Sequence, residues 1–437
     1  MEKVYALLLL VLCCFSPAKA QQLEGANWFF GGWAQTSIPG VHLDFKGQKP
    51  VAVPYNSDFS LGAGVATISD KNGQLLFFSN SGVVFTRQIQ NNKYLEMPNG
   101  KVFQTEDFTT SELITQSPVD PQVYYVFIVR GNWAQGNRKL YVVQIDMRLN
   151  NGFGDVVPNS FQLLKREVGP GLAAMLHANN RDTWIVSYIN TTDSVQAYLV
   201  NPTGISPPVI STTGKVLSHE GRIKSSANSA LLAAVGLQQI EVFQFNRSTG
   251  AVSSLHSLIL PNPTKQTGWA FAFSPDNTKL YAGTRKPSPS PSNAMYSIVQ
   301  YDLAAGNTAQ IQLSLNTIYN PGSSENGSII MDMQLAIDGK IYVSRLDSLR
   351  HLSILTCPDN YGTASNFILR GVDALQKYFG NGTTLPALNQ TIFRNAGILQ
   401  AQAFRDTICY GDSVQLSAYG AGAEHFQWQV ANGLTAV

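Results

Sequence analysis

The chain has 437 residues, of which 44% are hydrophobic and only 13% charged, about half the roughly 25% usual in globular proteins. It is long enough to bury a large core, and its formal net charge of +2 supplies no field that would draw in nucleic acid or an anionic membrane. Its four cysteines form no Cys-x-x-Cys or Cys/His spacing, which excludes a disulfide framework and a zinc site; the polar surface must come from Ser, Thr, Asn, Gln and Gly, as in an extracellular β-rich protein.

Residues 1–20, "MEKVYALLLLVLCCFSPAKA", carry an early lysine, an apolar run from Ala6 to Phe15 and a small-x-small ending at Ala18 and Ala20. This is the pattern of a secretory signal peptide cleaved near Ala20, and the run is too short to span a bilayer. A lipoprotein signal at Cys13 or Cys14 is the rival reading, disfavoured because Leu12 and Cys13 stand where a small residue should precede the lipidated cysteine. Cleavage leaves 28 basic and 27 acidic groups and only Cys357 and Cys409. No later stretch resembles a membrane span, so the mature product is expected to be soluble, secreted or displayed at the cell surface.

From residue 21 to 403 one layout recurs: strand, turn rich in Asp, Asn or Gly, strand. In chain order the six copies are "ATISDKNGQLLFFS" from Ala66, "LITQSPVDPQVYYVFIV" from Leu113, "AAMLHANNRDTWIVSY" from Ala173, "RIKSSANSALLAAV" from Arg222, "WAFAFSPDNTKLYAG" from Trp269 and "DMQLAIDGKIYVSR" from Asp332. Anchored on Asp70, Asp120, Asn180, Asn228, Asp276 and Asp338, they lie 50, 60, 48, 48 and 62 residues apart. Asp and Asn reverse a chain cheaply because their side chains accept from backbone N–H groups two residues on, and Asn and Gly tolerate positive φ. A period near 50 with several strands per copy predicts a β-propeller, in which no blade buries its faces without neighbours.

Third strands follow at Lys139–Met147, Val195–Asn201, Ile240–Asn246 and Tyr296–Leu303, and "QIQLSL" (Gln310–Leu315) is expected to supply a fourth. In the fifth copy Trp269, Phe271 and Phe273 share one face and Ala270 and Ala272 the other, as suits an innermost strand between adjacent blades. A doubly wound α/β sheet would need helices between strands, and only Val372–Tyr378 offers a short candidate. The expected fold is therefore all-β: a seven-bladed propeller, with six blades as the alternative. The seventh would be closed by Asn27–Phe45 and Thr391–Ala403, hiding the edges that an open sheet exposes.

The segments "NWFFGG", "ATISDKNGQLLFFS", "MPNG", "NNGFGDV", "HANNRDTWIVS", "FSPDNTKLY" and "QLAIDGKIYV" closely resemble, in family order, the propeller region of large secreted proteins of Bacteroidota. The resemblance implies a propeller followed by Ig-like or PKD repeats and a gliding-motility-associated C-terminal domain sorted by the type IX secretion system. The chain departs from that pattern at Cys357, which precedes the proline in "TCPDNYG", and it contains no sorting domain. Residues 404–437 resemble the opening part of an Ig-like or PKD sandwich, too short to complete one of about 100 residues. Cys409 is expected to pair beyond Val437, with a Cys357–Cys409 bridge as the alternative.

No nucleophile elbow, phosphate loop, dinucleotide fingerprint or H-E-x-x-H sequence occurs, so no cofactor and no metal is expected. "SDKNG" (Ser69–Gly73) lacks the later ligands of a calcium loop and reads as a plain turn. His177 reads as a structural histidine, Asp182 as a turn residue and Trp184 as a core aromatic. In a propeller the loops joining second to third strands open on one face. There "GNWAQGNRK" offers Asn132, Trp133 and Arg138 as candidate ligand-binding residues, with Trp133 as a flat platform for a sugar or peptide. The expected role is non-enzymatic: an adhesin-like or scaffold protein that recognises extracellular polysaccharide or a surface protein, with neither nucleic acid nor inserted membrane as partner. The alternative is a carbohydrate-active or other hydrolytic propeller. An apolar or amide-lined channel mouth would mark the binder; clustered carboxylates with a histidine would mark the enzyme.

Overall fold

The computed structural model describes residues 23–30, 40–47, 49–56, 64–103, 108–131, 137–217, 221–235, 239–261, 270–286, 295–320, 329–346, 351–373, 385–393, 400–403 and 416–419. The unit Gln22–Arg394 is an all-β, seven-bladed propeller, so the first of the two blade counts holds. Six antiparallel sheets follow one another along the chain, each starting at its innermost strand: Val65–Ser69, Phe108–Gln116, Ala173–Leu176, Ile223–Ser225, Phe271–Phe273 and Ile329–Leu335. A three-stranded sheet of Asn27–Phe30, Gly40–Asp44 and Val51–Tyr55 belongs to the seventh. It packs Trp28 against Tyr342 of the sixth blade at 5.5 Å and stacks Phe29 on Phe78 of the first at 4.0 Å. A separate compact unit holds the strand pair Gln400–Ala403 and Leu416–Tyr419.

Each predicted hairpin forms, and the anchors act as expected. Asp70, Asp120, Asn228, Asp276 and Asp338 each accept, through Oδ1, the N–H two residues on, at 2.8–3.2 Å. In the third blade the acceptor is instead Asn179, which takes the N–H groups of Arg181 and Asp182 at 3.0 Å. Asn180 supplies the left-handed residue, at φ +57°, a conformation Asn adopts more readily than most.

The core lies between blades. Phe77 of the first blade packs with Val126 of the second, Leu113 of the second with Ile185 of the third, Trp184 of the third with Phe243 of the fourth, and Val242 of the fourth with Phe271 of the fifth. Each such burial contributes roughly 1.5–3 kcal/mol, and it exists only because the adjacent sheet is present. That is the physical reason for the repeat.

Two expectations are corrected. Gln310–Leu315 is not a strand: Thr308–Leu313 is a short helix closed by a capping box, with Asn307 Oδ1 accepting from Gln310 N at 3.1 Å and Gln310 Oε1 from Asn307 N at 2.9 Å. The apolar alternation misled, because Ile311 is buried while Leu313 is 85% exposed; the fourth strand is Asn316–Tyr319. The C-terminal chain also returns to the axis earlier than Thr391–Ala403. Leu385 N donates to Asp332 of the sixth blade at 3.1 Å, and Ala387 N donates to Val65 O of the first at 2.9 Å.

The signal-peptide reading, Cys409 and most of the Ig-like tail lie outside the described residues. Cys357 is an exposed free thiol. Among the described residues no helix is long and apolar enough to cross a membrane.

Candidate functional site

At the axis, the chain 385–390 passes beside the opening residues of several innermost strands. Two of those strands are bulged there, with register shifts between Thr109 and Ser111 and between Ile330 and Asp332. A bulge adds one unpaired residue and re-aims the side chains around it. The result is a cavity of about 50 Å³ lined by Thr110 and Ser111 from the second blade, Arg222, Lys224 and Ser225 from the fourth, Asp332 and Gln334 from the sixth, and Leu385, Leu388 and Gln390 from the axial chain.

Asp332, only 3% exposed, organises it. Its Oδ1 accepts from Lys224 Nζ at 2.8 Å and from its neighbour Met333 N at 2.9 Å; its Oδ2 accepts from Arg222 Nη1 at 2.7 Å and Leu385 N at 3.1 Å. Four donors saturate the carboxylate. Burial alone would raise its pKa, but Arg222 and Lys224 more than offset that and hold it below the usual carboxylate range. Burial also lowers the Lys224 pKa, against the opposing pull of Asp332. Lys224 spends a second proton on Met333 O and sits 5.9 Å from the Phe271 ring centroid. Arg222 keeps Nε and Nη2 without a protein acceptor among the described residues. The Ser225 hydroxyl, on a residue 2% exposed, likewise has no partner among them.

Chemically, Asp332 is an anchor and a poor base, since every lone pair is occupied. Arg222 offers unspent donors, and Lys224 is an ammonium whose proton burial makes easier to release. Among the described residues no group of three or more His, Cys, Asp or Glu is placed to hold a metal.

The residues singled out beforehand lie elsewhere. Asn132 and Trp133 are outside the described residues. Arg138 is fully buried, and its carbonyl takes the Val168 N–H at 3.0 Å, so its guanidinium presents no surface at a solvated rim. His177 is structural, its Nδ1 accepting from Asn179 N at 3.1 Å. Asp182 is bonded to Asn179 within its turn at 2.9 Å, and Trp184 is 4% exposed.

Arg222, Lys224 and Asp332 escaped the sequence reading. The signal available was their charge: "RIKSS" and "IIMDMQL" place ionisable groups in innermost strands, where a charge is costly unless paired.

A wider cleft, about 930 Å³, opens where the hairpin turns of the first three blades gather. Its acids are largely committed: Asp70 to its own turn, and Asp120 to Gln122 N at 3.0 Å and Arg148 at 2.9 Å.

No family model and no curated protein sequence matches the chain. Solved structures do. A periplasmic gluconolactonase from Pseudomonas aeruginosa superimposes with a TM-score of 0.50 at 13% identity, covering 83% of this chain and 99% of that one. Two candidate 6-phosphogluconolactonases give similar coverage: one from Bacteroides fragilis NCTC 9343 (10% identity, 83% and 98%, TM-score 0.49) and one from Bacteroides uniformis ATCC 8492 (12%, 83% and 97%, TM-score 0.47). At such identities the likeness shows the fold. The expectation of a non-enzymatic adhesin or scaffold is corrected here: a solved propeller similar to this chain bears the name of a gluconolactonase, and the channel mouth holds paired ions where an apolar or amide lining would have marked a binder. Nor is it the carboxylate and histidine cluster foreseen for an enzyme, since lysine and arginine stand in its place.

Proposed function

We propose that the chain is an exported hydrolase that opens the ester of a sugar-derived lactone at the axial cavity. One observation carries this reading: an arginine with unspent donors and a lysine with an eased proton are held side by side on a saturated, buried carboxylate. The lactonase name of a similar propeller is consistent with it. As water adds to the carbonyl carbon, Arg222 N–H groups stabilise the oxyanion. Lys224 gives a proton to the ring oxygen as the C–O bond breaks, and recovers one from the added water, leaving a hydroxy acid. Asp332 positions both cations.

Export, the Bacteroidota family with Ig-like or PKD repeats, and the type IX route belong to the same proposal. They are supported by residues 1–20 and the motifs quoted above. A sugar from extracellular polysaccharide, already oxidised at its anomeric carbon, is then the source of the lactone.

The test is pH-stat titration of glucono-1,5-lactone opening by the full chain, with the spontaneous rate subtracted. Lys224→Met and Arg222→Ala are expected to lower kcat/KM by about 10²–10³ while the thermal melt stays cooperative. A wild-type rate no faster than the spontaneous one, across a panel of sugar lactones and aryl esters, would overturn the proposal.

A further inference from the structure

We infer that the axial cavity is a carboxylate receptor that retains a free sugar acid, the product class of the reaction proposed above. The identity of the acid rests on that reading, whereas the charge and size of the ligand rest on the cavity itself. Arg222, Lys224 and Asp332 are the only ionisable side chains lining it among the described residues. Two cations face one anion, so the lining carries a formal charge of +1 in a place where Asp332 is 3% and Lys224 13% exposed. An unmatched charge is unfavourable there, and an incoming anion removes the mismatch.

The donors suit a carboxylate. Arg222 retains Nε and Nη2, a fork that can take two oxygens at once, and the Ser225 hydroxyl is buried without a partner among the described residues. Size narrows the choice further. At about 10–15 Å³ for each water-sized group, the 50 Å³ cavity accepts a carboxylate and its adjoining carbon, or the ester edge of a lactone whose ring stays at the mouth. The acid end enters, and the hydroxylated chain stays outside. A neutral lactone lacks the charge, so the free acid binds more tightly than the substrate and inhibits it competitively.

The probe is sodium gluconate, with glucitol as the uncharged match and sodium sulfate as the generic anion, each titrated against the full chain by calorimetry and thermal melt. Gluconate is expected to raise the melting temperature by several degrees and to bind at least tenfold more tightly than glucitol or sulfate. Ser225→Ala is expected to weaken gluconate several-fold, and Arg222→Gln more than tenfold. Melts without ligand identify any variant that fails to fold, in which case Ser225→Ala decides. Equal effects of gluconate and glucitol, or of gluconate and sulfate, overturn the receptor. If gluconate binds but no lactone is opened, the receptor stands and the proposed hydrolase falls; opening without gluconate binding gives the reverse.

Discussion

Replacing Asp332 by Asn tests the centre of the site. The side chain receives four N–H donors, two on each oxygen. Asparagine retains one acceptor oxygen and turns the other position into a donor that faces donors. It also removes the negative charge shared by two cations whose side chains are 25% and 13% exposed. Removing one partner from a buried pair costs about 3–5 kcal/mol. Melting entropy is about 2.1 cal/mol/K per residue, so for a unit spanning Gln22–Arg394 each kcal/mol shifts the melt by roughly 1.3 °C. The expected drop is about 4–6 °C by differential scanning calorimetry at pH 7. Lys224→Met leaves the carboxylate with Arg222 and two amides and should cost only about 1–2 kcal/mol. An Asp332→Asn protein melting within about 1 °C of wild type, or less damaging than Lys224→Met, would refute the view that the carboxylate anchors both cations.

Two pH-dependent effects follow from other buried groups. Burial pushes Glu112, whose Oε1 takes the Gly82 N–H at 2.5 Å, up to about 8 from an ordinary 4.5. Between those values the folded state keeps a proton that the unfolded chain releases, so stability falls as pH rises through the window, by on the order of 5 kcal/mol. Urea midpoints at pH 5 and pH 8 should reveal that loss in the wild type and not in Glu112→Gln; an unchanged slope in the variant would exclude Glu112 as its source. His42, stacked on Phe29 at 4.9 Å and 3.4 Å from the Tyr94 hydroxyl, is lowered by burial to about 4. Its contribution is present above 6.5 and lost as pH falls from there toward 4, by on the order of 3 kcal/mol. His42→Phe should flatten the melting temperature over that acid range, and equal slopes in the two proteins would assign the effect elsewhere.

Much of the fold was legible because its devices are local. An Asx turn needs one residue at one position, so five of six anchors could be located from Asp and Asn alone, and the sixth missed by a single residue, Asn179 in place of Asn180. Strand alternation is equally local, and it failed where a competing local signal was stronger. The Asn307 and Gln310 capping box turned "QIQLSL" into a helix followed by a separate strand, although period-two apolarity was present. The closure at 385–387 was hidden for the opposite reason: its bonds to Asp332 and Val65 are long-range and leave no periodic trace.

The cavity was illegible for a related reason. Arg222 and Asp332 stand 110 positions apart, and the ring brings them together because every innermost strand begins near the same axis. The second and sixth blades contribute two polar side chains each and the fourth three, so no spacing within one blade encodes the site. The bulge at Ile330–Asp332 makes the dependence sharper. In a strand, a shift of one residue turns every side chain to the other face. Asp332 pairs with Ser344 in the same unbroken register that pairs Met333 with Val343, so the extra residue Met331 re-aims Ile330, on its other side, and not the carboxylate. A single inserted residue, invisible as a motif, thus lets the strand begin in one register and carry its aspartate to the ion cluster in another.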